Sequence, residues 1–371
     1  MAVKVSTIIG WLEAFAPQDL AVDGDRIGLQ IGSAQQTVDK VLITLDVTRA
    51  VVQEAIQMGA KLIVAHHPPL YHPLRTLNTQ TAQGEMIANL IKHDIAVYAI
   101  HTNLDIVKGG LNDWLAERLG LKNTEVLAVT QHEQLKKLAV FVPLDYEEKV
   151  RLALGKAGAG HIGNYSYCTF RSVGTGTFKP EEGANPFIGC QGEIEQVEEV
   201  KLETIFPAHL EKKVLEAMLE AHPYEEVAYD IYPLEQKGAA YGLGRIGYLE
   251  QPMSLEEFAL KVKNVLELPF CRVAGRRDAR IHKVAVMGGD GNKYVNQAIR
   301  KGADVLVTGD LYYHTVLDAL EAGLNLIDPG HHAEKIMIKG LCRVLEEKAR
   351  EEKAEVEVIP SRIDTNPFYV L

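Results

Sequence analysis

One stretch of the chain occurs twice, and that repeat limits the available folds more than any other feature. The segment Lys40–His67 (KVLITLDVTRAVVQEAIQMGAKLIVAHH) matches Lys283–Asp310 (KVAVMGGDGNKYVNQAIRKGADVLVTGD) at a constant offset, 283 − 40 = 243. Identities include Lys40/Lys283, Val52/Val295, Ala55/Ala298, Ile56/Ile299, Gly59/Gly302, Ala60/Ala303 and Val64/Val307. Each copy reads as strand, helix, strand. The runs Val41–Leu45 and Leu62–Ala65 are short, continuous and apolar, as strands covered on both faces should be. Gly59 and Gly302 stand where a helix C-terminal stop is expected. A further helix and strand follow in each half, at 83–93 then 95–100 and at 315–322 then 325–327. This is α/β layering, with parallel strands joined by crossover helices.

Between the halves lies a different unit. Strands are expected at 137–142, 166–177, 199–206 and 227–232, with helices at 145–157 and 208–222. That βαββαβ order is ferredoxin-like. The sequence therefore predicts an α/β domain in two halves, residues 1–125 and 238–371, interrupted by an inserted α+β domain at 126–237. A chain of 371 residues has room for two or three domains.

Composition narrows the chemistry. The formal charge is −11, from 39 basic and 50 acidic residues, which argues against general binding to nucleic acid. No stretch of about 18 apolar residues exists to span a membrane. Residues 1–17 read as an amphipathic helix and not as a signal peptide. The four cysteines (Cys168, Cys190, Cys271, Cys342) are scattered, so they read as reduced thiols of a cytoplasmic protein. Any metal must be held by histidine and carboxylate.

Those residue types gather at strand ends. Strand 62–65 runs into His66-His67-Pro68-Pro69, and the next runs into His101-Thr102-Asn103-Leu104-Asp105. In the second half, strand 305–307 runs into Thr308-Gly309-Asp310, with His314 close behind. The last strand runs into Asp328-Pro329-Gly330-His331-His332-Ala333-Glu334. Ligands of open α/β sheets bind beyond the carboxyl ends of strands, so folding should bring these groups to one rim. Imidazole and carboxylate without thiolate suit Zn²⁺, Fe²⁺, Mn²⁺ or Co²⁺. Adjacent His66 and His67 should point opposite ways from their strand, which favours two metals with a bridging carboxylate. Glu334 is the expected bridge and Asp105 a terminal ligand. His101, Asp310, His314 and Asp328 are read either as groups that orient ligands by hydrogen bonds or as acid/base groups. His332 reads as a neighbour of the ligand His331. The turn Gly288–Gly291 is a weak candidate for an anion cradle. Arg272, Arg276, Arg277 and Arg280 read as a solvated face.

With these motifs in hand, the sequence resembles the GTP cyclohydrolase 1 type 2 homologues, also called NGG-interacting factor three-like proteins. The resemblance rests on GLQIG at 28–32, HHPPL at 66–70, HTNLD at 101–105, TGD with His314, and GHHAEK at 330–335. It implies a dinuclear centre held by His66, His67, Asp105, His331 and Glu334, and a toroidal homohexamer. The insert is similar to the PII/CutA-like domain of longer members, through NYSYCTF (164–170), GTGTFKP (174–180), GANPFIG (183–189) and AHPYEE (221–226).

Two functions follow as expectations. One is a metal-dependent hydrolase acting on a nucleotide or related heterocycle, with GTP ring opening as its specific form and His101, Asp310 or His314 moving the proton. The other is a non-catalytic metal carrier or regulator whose insert senses a small ligand. Both take two divalent ions per chain, with Zn²⁺ the default over Fe²⁺ or Mn²⁺.

Overall fold

The structure is a computed structural model that describes residues 3–370. Its architecture is mixed α/β, in two bodies: Met1–Gln131 with Tyr241–Leu371, and His132–Ala240. The chain passes between them within two long strands, Lys122–Pro143 and Tyr229–Ser254. No glycine or proline marks the first crossing, and Gly238 and Gly242 beside the second lie within a continuous strand, so the expected borders at 125/126 and 237/238 differ from these by a few residues.

In the first body each half of the repeat builds its own sheet. Strands Lys40–Thr44, Leu62–Ala65 and Ala96–Ala99 are parallel neighbours. Gly28–Ile31 adds antiparallel at one edge, and Glu357–Pro360, from the far end of the chain, adds parallel at the other. The second half repeats the parallel core with Arg280–Asp290, Val305–Gly309 and Asn325–Asp328, and Arg272–Ala274 runs antiparallel at its edge.

The register repeats along with the sequence. Val41 pairs with Leu62 and Ile43 with Val64, while Val284 pairs with Val305 and Val286 with Val307. Each of these residues lies 243 positions from its counterpart (284 − 41 and 305 − 62). The helix stops match too: Gly59 and Gly302 are left-handed, with φ of 71° and 69°. Beyond them the Ala60 and Ala303 amides donate back to the Ala55 and Ala298 carbonyls. A glycine at that position avoids the steric cost that a Cβ meets at positive φ.

One core joins the halves. Val41, Ile43 and Val64 from the first sheet and Val284, Val286 and Leu306 from the second share it with Trp114 and Leu341. Because each strand is covered, its polar chemistry is confined to its end.

The second body runs strand, helix Glu147–Ala157, strand Thr169–Phe178, strand Glu195–Pro207, helix Glu211–Ala221, strand. The strands lie side by side in the order fourth, first, third, second of this body. Leu138, Val140, Leu202 and Phe206 pack against Val150, Leu154, Val214 and Met218 of the two helices.

Candidate metal centre

Five segments of the first body bring their polar ends together. Strand Leu62–Ala65 ends in a bend carrying His66 and His67. Extended alternation stops at that bend, so the two rings do not go to opposite faces. Their centroids are 5.0 Å apart and both enter the site, which corrects the divergence expected from strand geometry. His66 is completely buried. Its Nδ1–H donates to the Ile100 carbonyl at 2.9 Å. Its Nε2 lies 3.7 Å from Asp105 Oδ1 and 3.8 Å from Glu334 Oε2. His66 Nε2 and Asp105 Oδ1 are both buried without a hydrogen-bond partner. Two facing polar atoms left in this way are costly unless something binds between them.

The other imidazoles follow one pattern. His67 Nδ1–H donates to Asp46 Oδ1 at 2.7 Å, and its Nε2 lies 3.1 Å from Glu334 Oε2. His331 Nδ1–H donates to Asp310 Oδ2 at 2.7 Å, and its Nε2 lies 3.2 Å from the same Glu334 oxygen. His101 Nδ1–H donates to Asp25 Oδ1 at 2.9 Å, and its ring lies 5.1 Å from that of His66. Every ring thus has one nitrogen held by an oxygen and the other facing the cluster. That is how proteins fix the tautomer and aim of a metal-binding histidine.

Three interlocking groups result, each with ligand atoms within 4.8 Å of one another: His66, His67 and His101; His67, His331 and Glu334; and His66, Asp105 and Glu334. Glu334 sits in the short helix His331–Lys335, beneath the turn Gly288–Gly291. That turn is no anion cradle. The Gly288 amide donates to Asn112, and a Cβ on Gly289 would come 2.9 Å from Glu334 Oε1. The glycines leave room for the carboxylate.

The charges are set by these pairs. Burial disfavours an ionised Glu334, but the three imidazoles around it hold its carboxyl well below the usual range. Burial pushes Asp105 up to about 6. Burial also opposes the charge on His67, yet Asp46 and Glu334 outweigh it and raise that ring to about 10. Glu334 and Asp310 raise His331 to about 9 against its burial. Both folded values exceed the ordinary imidazole value near 6.5. These charges therefore stabilise the metal-free fold below about pH 6.5, and the contribution is lost as pH rises through 9 and then 10. A cation entering must displace the same protons. Loading metal-free protein with Zn²⁺ at pH 8 is expected to release protons. Calorimetric titration in two buffers of different ionisation enthalpy checks this; equal apparent heats would show that no proton leaves.

Other residues singled out from sequence lie apart. His314, in helix Tyr313–Glu321, is exposed with its ring against Tyr313. Asp328 accepts from the Leu311 and Gly330 amides and pairs with Arg272, so it holds the turn that precedes His331. Arg276 and Arg277 pair with Asp278 and Glu256. His332 turns to Asp364. Sequence reasoning missed Asp25 and Asp46. Asp46 had a signal, since it follows strand Lys40–Thr44 as His66 follows the next strand. Asp25, in a polar loop, had none.

A buried histidine–carboxylate cluster at the strand ends of a duplicated α/β body makes a site whose residue groups could hold a metal ion. The chain belongs to the Duf34/NIF3 (NGG1p interacting factor 3) family, whose model matches residues 3–367. It is 56% identical over 362 residues to a Halalkalibacterium halodurans protein named GTP cyclohydrolase 1 type 2 homolog, covering 98% of this chain and 97% of that one. A Bacillus subtilis protein of the same name is 55% identical over 370 residues, covering 100% and 99%. Among solved structures, a Bacillus cereus protein related to NIF3 superposes with TM-score 0.95 at 54% identity, over all of both chains. Among the described residues no helix is long and apolar enough to cross a membrane.

Proposed function

We propose that the protein binds two divalent metal ions per chain and uses them to hydrolyse a nucleotide or related heterocycle. The observation that carries this is the position of Glu334. Its Oε2 lies within 3.8 Å of the Nε2 atoms of His66, His67 and His331, so one carboxylate serves two of the three ligand groups. In this reading His66, Asp105 and Glu334 hold one ion, and His67, His331 and Glu334 hold the other. Divalent ions held there supply Lewis-acid polarisation and a water acidified towards neutrality.

The chain's own groups divide the remaining work. Asp46 and Asp310 hold their imidazoles by Nδ1–H, leaving Nε2 as the electron-pair donor. His101, held by Asp25 and open on its other nitrogen, is the acid/base group. Asp310 is a positioning residue. His314 is exposed on its helix, which does not favour the proton-moving role considered for it from sequence. His101→Gln is expected to keep about two ions per chain, from the two-metal argument, while turnover falls. Loss of an ion would make His101 a ligand instead.

The relatives' name directs the substrate choice to GTP. Protein reconstituted with Zn²⁺, Fe²⁺ or Mn²⁺ is expected to open the ring of GTP or of another member of a nucleotide panel. Asp105→Ala should abolish turnover with folding intact. No turnover with any metal, together with metal transfer to an acceptor protein, would establish the carrier reading. The strand order of the second body supports a ferredoxin-like module of the PII/CutA kind. The family resemblance further leads us to propose a cytoplasmic homohexamer, which light scattering would size.

A further inference from the structure

We infer that the second body carries a pocket for an organic ammonium ion, built from three motifs that the metal centre does not use. The segments GTGTFKP, GANPFIG and AHPYEE all contribute walls to one cavity of about 450 Å³. That volume falls in the range of small-molecule sites, roughly 300–1,000 Å³.

Its walls are aromatic. Phe178 and Phe187 flank Tyr224, with ring centroids 6.1 and 6.2 Å from it and planes inclined by 60° and 51°. All three rings line the cavity and give it aromatic surface of the kind that attracts a cation.

Its floor is a carboxylate with no counter-ion. Glu199 is 8% exposed and accepts the Tyr224 hydroxyl at 3.0 Å. A Cβ on Gly176 would come 2.1 Å from Glu199 Oε2, so the carboxylate can lie there only because residue 176 is glycine. Among the described residues no lysine, arginine or histidine pairs with Glu199. The nearby His222 cannot supply the charge. Its Nδ1 accepts the Tyr224 amide while its Nε2–H donates to the Phe141 carbonyl, which fixes the neutral ring. Glu225 and Glu226 add negative charge at the exposed rim, and Lys179 there is taken by Glu181. Buried carboxylates are normally paired with a cation, and Glu199 has only the neutral Tyr224 hydroxyl, which leaves it open to a cationic ligand.

The rings and apolar walls select against a bare metal ion. They offer no lone pairs, and none of the candidate metal-holding groups lies at this cavity. An alkylammonium fits both features, with its N–H groups on Glu199 and its charge over the rings.

The test uses full-length, metal-loaded protein and spermidine as probe, titrated calorimetrically, with Mg²⁺ and neutral 1,4-butanediol as controls. Saturable binding of about one spermidine per chain, with neither control competing, is expected. Glu199→Gln should weaken it about tenfold or more, the loss expected for a hydrogen bond to a charged group. If that variant does not fold, Phe187→Ala decides alone, since its ring is 51% exposed and its removal leaves the core intact. His66→Ala should bind spermidine like the parent. The inference is overturned if spermidine does not bind saturably. It is equally overturned if the pocket variants bind like the parent, or if His66→Ala loses the binding. Because these readouts do not involve turnover, they stand or fall apart from the hydrolase reading.

Discussion

Glu334→Ala is expected to leave a folded chain nearly free of bound divalent ion, against about two per chain expected for the parent on the proposed two-metal reading. Each of the other proposed ligands serves one ion, but Glu334 Oε2 faces His66, His67 and His331 together. Removing it also leaves those imidazoles without the anion that opposes their mutual repulsion. His331→Ala and Asp105→Ala should each retain about one ion. Asp46→Asn keeps every ligand and only loosens the hold on His67, so affinity should fall tenfold to a hundredfold, as roughly expected for groups behind the ligands. Elemental analysis after gel filtration orders the series. Full metal content in Glu334→Ala would remove the shared carboxylate from the centre.

The largest loss of stability is expected at Arg245, away from the ligands. Its guanidinium is 4% exposed. It grips Asp113 through two bonds, Nε to Oδ1 at 2.7 Å and Nη2 to Oδ2 at 2.8 Å. It also donates to the carbonyls of Gly242 and Gly244, and to Val107 just after the helix that carries Asp105. Arg245→Met strands the Asp113 charge and three carbonyls, and such a loss costs about 3–5 kcal/mol. Urea unfolding of the metal-free protein measures it. Arg245→Met with Asp113→Leu should be less unstable than Arg245→Met alone, because the uncompensated charge is gone. A single variant as stable as the parent would show that the pair contributes little.

Much of this was legible in the sequence because it is local or repeated. The offset of 243 located the parallel strands and, through Gly59 and Gly302, the helix ends. Strand ends exposed the HHPP, HTNLD and GHHAE groups because a covered strand admits polar residues only where it stops. What stayed hidden depends on distance in the chain. Nothing near Asp25 reveals that it holds His101 across 76 residues. The first long strand has no marker at its crossing, and the second carries Pro233, Gly238 and Gly242 inside it, which read as turns, so the continuation of both was unreadable. The expectation for His66 and His67 failed because it extended strand alternation past the end of the strand. His314 was read as part of the cluster on its nearness in sequence to Asp310, but its helix leaves it facing solvent.

Strand Glu357–Pro360 closes the first sheet alongside Lys40–Thr44, and Thr365 then bonds Asp46 behind His67. On the ribosome this imposes an order. His67 emerges 267 residues before Glu334, a delay of about 15–50 s at ordinary rates of synthesis. Throughout that interval the nascent first half has an unpaired sheet edge and only part of its ligand set. On the proposed ligand set the centre cannot be complete before Glu334 emerges, and a chain cut short between residues 335 and 357 would keep those ligands but leave the sheet edge open and prone to aggregation.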